Sequence, residues 1–188
     1  MGRGTTPVEA ALLGRIPFGN DVNPLSLTFT RPRLCPPTID QIAERLRQID
    51  LTDHDEFPED LLAFYHPETL REICALKKFF LRTRLNQERA DESVTFTQVD
   101  EWLCMVALNR LTGHSPGFFS VYTLPPNQAV SAESQCKINQ AREQEPPRRD
   151  VMQLILKKSR QLLGDVTPTV RQTLARVAQR AMLTNDAD

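Results

Sequence analysis

Glycine is scarce in this 188-residue chain, with seven residues against fourteen prolines. That balance favours helices joined by stiff connections over sheets joined by flexible turns. No apolar run approaches the ~20 residues that a membrane-spanning helix needs, and the first residues lack the apolar core of a signal peptide. The expectation is a cytoplasmic protein with no membrane partner. The four cysteines, Cys35, Cys74, Cys104 and Cys136, form no Cys-x-x-Cys pair. That excludes the usual cysteine spacing of a zinc site and leaves reduced thiols as the expectation. The three histidines, His54, His66 and His114, are scattered and form no ligand set, so no metal site is expected. Charge of one sign is lacking too: the formal net charge is -1, which by itself neither requires nor forbids a nucleic-acid partner. There is no internal repeat and no low-complexity tract.

What is present is apolar periodicity. Hydrophobic residues make up 40% of the chain, enough for a globular core. Residues 5–15 read as a short helix stopped near Gly14, and 16–18 as a short buried strand weakened by Pro17. Residues 31–37, "RPRLCPP", read as extended linker. Helical spacing then dominates. Thr38 and Gln41 form a capping box ahead of Ile39, Ile42, Leu46 and Ile49. Further helices are expected from Pro67 to about residue 85, over 97–111, from a Ser131 cap to about Glu143, from an Asp150 cap to Gly164, and from Thr167–Pro168 through Leu183.

Chemistry is concentrated at the start, "MGRGTTPVEAALLGRIPFGNDVNPLS". A Gly-x-Gly turn lets backbone approach a ligand closely, and the helix after it offers unpaired N–H groups. An acid some twenty residues on suits ribose hydroxyls. Asp21 stands 17 residues after Gly4. The same residues also read simply, as a frayed terminus followed by a "GND" and "NP" turn. A dinucleotide-type Gly-x-Gly-x-x-Gly would need a third glycine where Pro7 stands, which argues against a dehydrogenase.

The wording of the opening closely resembles the cofactor motif of DNA amino-methyltransferases, which use S-adenosylmethionine. That motif reads Asp-Pro-Phe-x-Gly-x-Gly-Thr-Thr, then a helix, then Gly-x-Asp-x-Asn-Pro. Gly2, Gly4, Thr5 and Thr6 match the first part, and Gly19, Asp21, Asn23 and Pro24 the second. The stretches "NPLSLTFTRPRL", "FYHPETLREI" and "LTGHSPGFFSVYTLPPNQAVS" are similar to the helical segment some of these enzymes carry. The resemblance implies that Gly2, Gly4, Thr5 and Thr6 approach the methionine part of the cofactor. It places Asp21 on the ribose hydroxyls, and Asn23 and Pro24 near the adenine. It also implies a transfer of methyl to an exocyclic amino group of a DNA base.

The chain departs from that pattern in two places. No Asp-Pro-Phe strand stands before Met1, and "CPPT", "LPPN" and "EPPR" lack the polar and aromatic neighbours of the catalytic Pro-Pro motif. The expectation is therefore a fragment or subunit that needs a second polypeptide for catalysis. In fold it would be mainly α with a partial α/β edge: an incomplete Rossmann-like methyltransferase unit followed by a helical domain. Residues 1–34 would form the partial S-adenosylmethionine-binding segment, and 35–188 a helical region that helps recognise DNA. The alternative is a non-catalytic helical DNA-binding or interaction module.

Candidate DNA contacts come from two places. Phe118, Phe119 and Tyr122 can stack on bases, and Asn127 and Gln128 can read adenine edges; the same aromatics could instead pack a core. From Cys136 onward there are ten Lys/Arg against six Asp/Glu, with Arg148, Arg149, Lys157 and Lys158 clustered, whereas residues 31–103 carry ten basic and fifteen acidic residues. A basic half can meet phosphates, although a solvated helix face has the same composition.

Overall fold

The computed structural model describes residues 1–54, 56–88, 96–124 and 130–185, apart from the side chains of residues 85–88. The chain divides into two compact units. The first comprises Met1–Ile42, Thr97–Met105 and Ser159–Asp188; the second comprises Ala43–Phe96 and Val106–Lys158. Among the described residues there are eight α-helices and two short strands, so the mainly helical expectation holds. Asn127 and Gln128 lie outside the described residues.

In the first unit, α1 (Thr5–Leu12), β1 (Phe18–Asn20) and α2 (Leu25–Leu34) meet α8 (Pro168–Ala178) and β2 (Met182–Thr184). The strands run parallel, with Phe18 opposite Met182, Gly19 opposite Leu183 and Asn20 opposite Thr184. Side chains alternate across a strand, so Leu183 turns into the core while Met182 and Thr184 stay outside. Ala11, Leu34, Leu174, Val177 and Leu183 form that core, with Met1, Val8, Leu27 and Val170 packed against it. Elsewhere in the unit, the buried Trp102 indole N–H donates to Ser159 Oγ at 3.0 Å.

Three local expectations change here. The first strand falls at Phe18–Asn20 rather than 16–18, leaving Pro17 before its first residue, where a missing N–H does no harm. Residues 31–34 are not linker; they complete α2, with Pro32 inside it. Asn23 Oδ1 accepts the Leu25 N–H to launch this helix, and buried Thr30 Oγ1 donates back to the Ser26 carbonyl. Burial of Ser26, Thr30, Pro32 and Leu34 offsets the hydrogen bond that proline removes. Finally, the last helix stops at Ala178 instead of running through Leu183, because Met182–Thr184 pair with β1.

The caps were legible. Thr38 N–H donates to Gln41 Oε1 and Gln41 N–H to Thr38 Oγ1, starting α3 (Ile39–Arg47). Thr167 Oγ1 accepts the Val170 N–H at the start of α8. In the second unit, Ser131 Oγ accepts the Ser134 N–H at the start of α6 (Ala132–Ala141), and Asp150 Oδ1 accepts the Gln153 N–H at the start of α7 (Val151–Leu163). The long α4 (Pro67–Glu88) opens on its proline, as expected, and α5 spans Gln98–Leu108.

Loop 109–124 forms no helix or strand, so its backbone is satisfied partly within the loop and partly by neighbours. Val121 N–H donates to the Phe64 carbonyl at 2.8 Å, and Thr123 N–H to the Gly113 carbonyl. Gln135 and Gln144 amides both donate to the Tyr122 carbonyl and to Asn139 Oδ1, while Asn139 donates to the Ala63 carbonyl. This amide network ties the loop to α6 and to the 3-10 turn Glu59–Ala63. Thr69 Oγ1 bridges both backbone groups of Arg149 in the same unit.

Of the left-handed backbone positions, Gly4 and Glu143 can be tested by substitution. Gly4 has φ +82°, and a Cβ there would lie 2.3 Å from Thr30 Oγ1. Gly4→Ala therefore meets both strain and a buried clash. We expect a loss of at least ~2 kcal/mol of stability by urea denaturation. Glu143 holds φ +48° at the end of α6, a position usually given to glycine, with Gln144 N–H closing on the Asn139 carbonyl. Glu143→Gly should raise stability by about 0.5–1 kcal/mol in the same assay.

Candidate functional site

Gly2 and Asp21 come together at the C-terminal end of β1. Gly2 N–H donates to Asp21 Oδ2 at 2.6 Å, and the Met1 amino group reaches the same oxygen at 2.8 Å. Asn23 N–H donates to Oδ1 at 3.0 Å. The Ser26 hydroxyl is a fourth donor to this carboxylate. A carboxylate offers roughly four acceptor positions, so the chain's own donors match its capacity. The Met1 ammonium first, then these hydrogen bonds, hold the Asp21 carboxyl well below the usual carboxylate range.

The glycines have different reasons to be glycine. At Gly2, in a left-handed conformation, a Cβ would meet nothing within 4 Å, so the space there is open. At Gly4 the neighbour is Thr30 of α2, and at Gly19 it is the Met1 side chain. Gly4 is thus explained by helix packing, and Gly2 by the turn itself. Thr5 and Thr6 stand exposed in the first turn of α1, whose leading N–H groups have no partner within the helix. Asn23 and Pro24 are exposed and begin α2.

The aromatic and basic candidates all belong to the second unit. Phe119 is fully buried, so its ring is core and is not presented to a base. Phe118 and Tyr122 are half-buried, and each ring is covered by an arginine of the chain. The Arg110 guanidinium lies 4.1 Å from the Phe118 centroid, and that of Arg142 3.8 Å from Tyr122. Base stacking on either ring requires the arginine to move. Arg148 is ion-paired with Glu72, and Arg149 is half-buried with its Nε shielded from solvent. Lys157 is exposed, and half-buried Lys158 has its ammonium pKa pushed down by burial and by Arg110.

Sequence reasoning missed the two arginine lids and the role of Thr30. Arg142 lies twenty residues beyond Tyr122, and no local pattern links them. It also missed an open groove of about 610 Å³ at the end of α6, lined by Asn139, Gln140, Glu143, Gln144 and Glu145. Among the described residues no cluster of three or more His, Cys, Asp or Glu is placed to hold a metal ion. Among them, too, no helix is long and apolar enough to cross a membrane. No family model, curated protein or solved structure matches the chain.

Because the folded Asp21 carboxyl titrates lower than an unfolded one, its stabilisation is present above about pH 4 and is lost as pH falls through the folded-state value. Asp21→Asn should lower stability at pH 7, and the gap from the parent chain should shrink at pH 2–3. Urea denaturation at the two pH values checks this.

Proposed function

We propose that the chain is a fragment or subunit of a DNA methyltransferase that moves a methyl group from S-adenosylmethionine to an exocyclic amino group of a DNA base. The observation that carries this reading is the hydrogen bond from Gly2 N–H to Asp21 Oδ2. It joins the glycine turn to the acid at the end of a strand in a parallel pair, where α/β sheets bind nucleotide ligands.

The residues present fit the cofactor in kind. Asp21 supplies acceptors for ribose hydroxyls, and the open side of Gly2 admits a ligand beside the backbone. Since four donors already meet Asp21, a ribose would take the acceptor position now held by the Met1 ammonium. S-adenosylmethionine supplies an electrophilic methyl group when bound. Asn23 and Pro24 would flank the adenine. Arg148, Arg149, Lys157 and Lys158 would meet DNA phosphates, with Phe118 and Tyr122 available to a base once their arginine lids swing aside. No residue of the chain is assigned to hold the target amino group. That role falls to a Pro-Pro-aromatic motif on a second polypeptide, acting on cytosine N4 or adenine N6 in the cytoplasm.

One observation favours a second reading, a helical DNA-binding or interaction module with no cofactor. The sheet has only two strands of three residues each, and helices supply the rest of the regular structure among the described residues.

Calorimetric titration separates the two. The methyltransferase reading expects S-adenosylmethionine binding that Asp21→Ala weakens roughly tenfold to a hundredfold, the value of charged hydrogen bonds. The module reading expects no cofactor binding. It expects duplex DNA affinity that falls steeply with salt and ignores the Asp21 substitution.

A further inference from the structure

We propose that the outer edge of β1, together with the bare sheet face around Phe18 and Met182, is the docking surface for an uncharged β-strand of a second polypeptide. The register decides which backbone groups point outward. Met182 N–H donates to the Pro17 carbonyl, and Asp21 N–H donates to the Thr184 carbonyl. Residues 17, 19 and 21 therefore face β2, and the Phe18 N–H and C=O point the other way. Among the described residues nothing pairs with that N–H and C=O. One place along the edge, the Asn20 carbonyl accepts from the Met1 amino group at 3.2 Å. The edge thus has a closed end at Asn20 and an open end at Phe18.

The side chains agree with the backbone. Phe18 is 72% exposed and Met182, its partner across the pair, 59%. Ile16, two residues before Phe18, is 41% exposed. The opposite face is covered, with Leu183 in the core. Parallel sheets bury both faces, and a two-stranded sheet is marginal by itself. Edge strands that stay unpaired commonly carry lysine or another charge as a guard. Residues 16–20, "IPFGN", and 181–185, "AMLTN", carry none. The chemistry of the surface is thus backbone donor and acceptor flanked by uncharged apolar side chains, which is what an added strand recognises.

A second copy of this chain fits less well. A two-fold pairing about Phe18 would set Asn20 of each copy opposite Ile16 of the other, and the Asn20 carbonyl is already engaged by Met1. A separate strand can run from Phe18 back past Ile16 without meeting that obstacle. The proposal deepens the subunit reading and rests on it for the partner's role, but its test uses neither cofactor nor DNA. Its failure would leave the calorimetric result untouched, and the reverse holds too.

The probe is a fluorescent, end-blocked decapeptide of alternating valine and threonine, read by anisotropy against the full chain, with sedimentation of the chain alone beside it. We expect a monomer that binds the peptide saturably. Phe18→Lys and Met182→Lys should each weaken binding at least tenfold with unchanged thermal melts, since both side chains are exposed. Leu81→Lys, at an exposed position of α4, should bind as the parent does. Absence of binding, equal binding by Phe18→Lys, or a chain dimer that Phe18→Lys dissolves would overturn the proposal. The last result would assign the edge to a second copy.

Discussion

The parallel pairing of β1 with β2 is the constraint on which the first unit depends. Phe18 and Met182 lie 164 residues apart, so their alignment closes a very long loop and must be held by what surrounds it. What surrounds it is apolar: Leu183 enters the core with Ala11, Leu34, Leu174 and Val177. Each of these burials is worth of the order of 1–3 kcal/mol, depending on side-chain size. The rungs of the ladder set register but add less. Without the pairing, α1 and α8 would lose the strand that anchors their shared core.

The same pairing places the candidate site. Asp21 follows β1 directly, and its carboxylate gathers Met1, Gly2, Asn23 and Ser26. An acid at this location either receives donors from its own chain or receives them from a ligand. The backbone around it is shaped by tight packing as much as by any ligand, since Gly4 is kept small by Thr30. Site geometry and helix packing are thus enforced by one short segment, which makes the opening residues sensitive to change for two separate reasons.

Surface charge plays a smaller part. The Arg47–Glu44, Arg71–Glu68 and Lys137–Glu133 pairs are exposed, and pairs of that kind contribute about 0–1 kcal/mol. The arginines over Phe118 and Tyr122 matter more for what they conceal than for stability. They convert two aromatic rings that look available in the sequence into covered ones. The loop that carries them is fixed by amide-to-carbonyl bonds from Gln135 and Gln144, which reach the Tyr122 carbonyl from another part of the chain.

Helix starts were readable from the residues alone because capping is a contact over three residues. Thr38 with Gln41, Ser131, Asp150 and Thr167 each do locally what their residue types dictate. The hydrogen bond from Gly2 to Asp21 is a different matter: it joins residues nineteen apart, and their spacing alone did not place them in contact. Tertiary structure decided the rest. It kept residues 31–34 helical across Pro32 by burying that face of α2, against the local preference for extended chain. It turned Met182–Thr184 from a continuing helix into a strand, because a parallel partner waited 164 residues away. It sent Phe119 into the core and covered Tyr122 with Arg142, twenty residues on. These outcomes depend on neighbours remote in the chain, and no local pattern of residues encodes them.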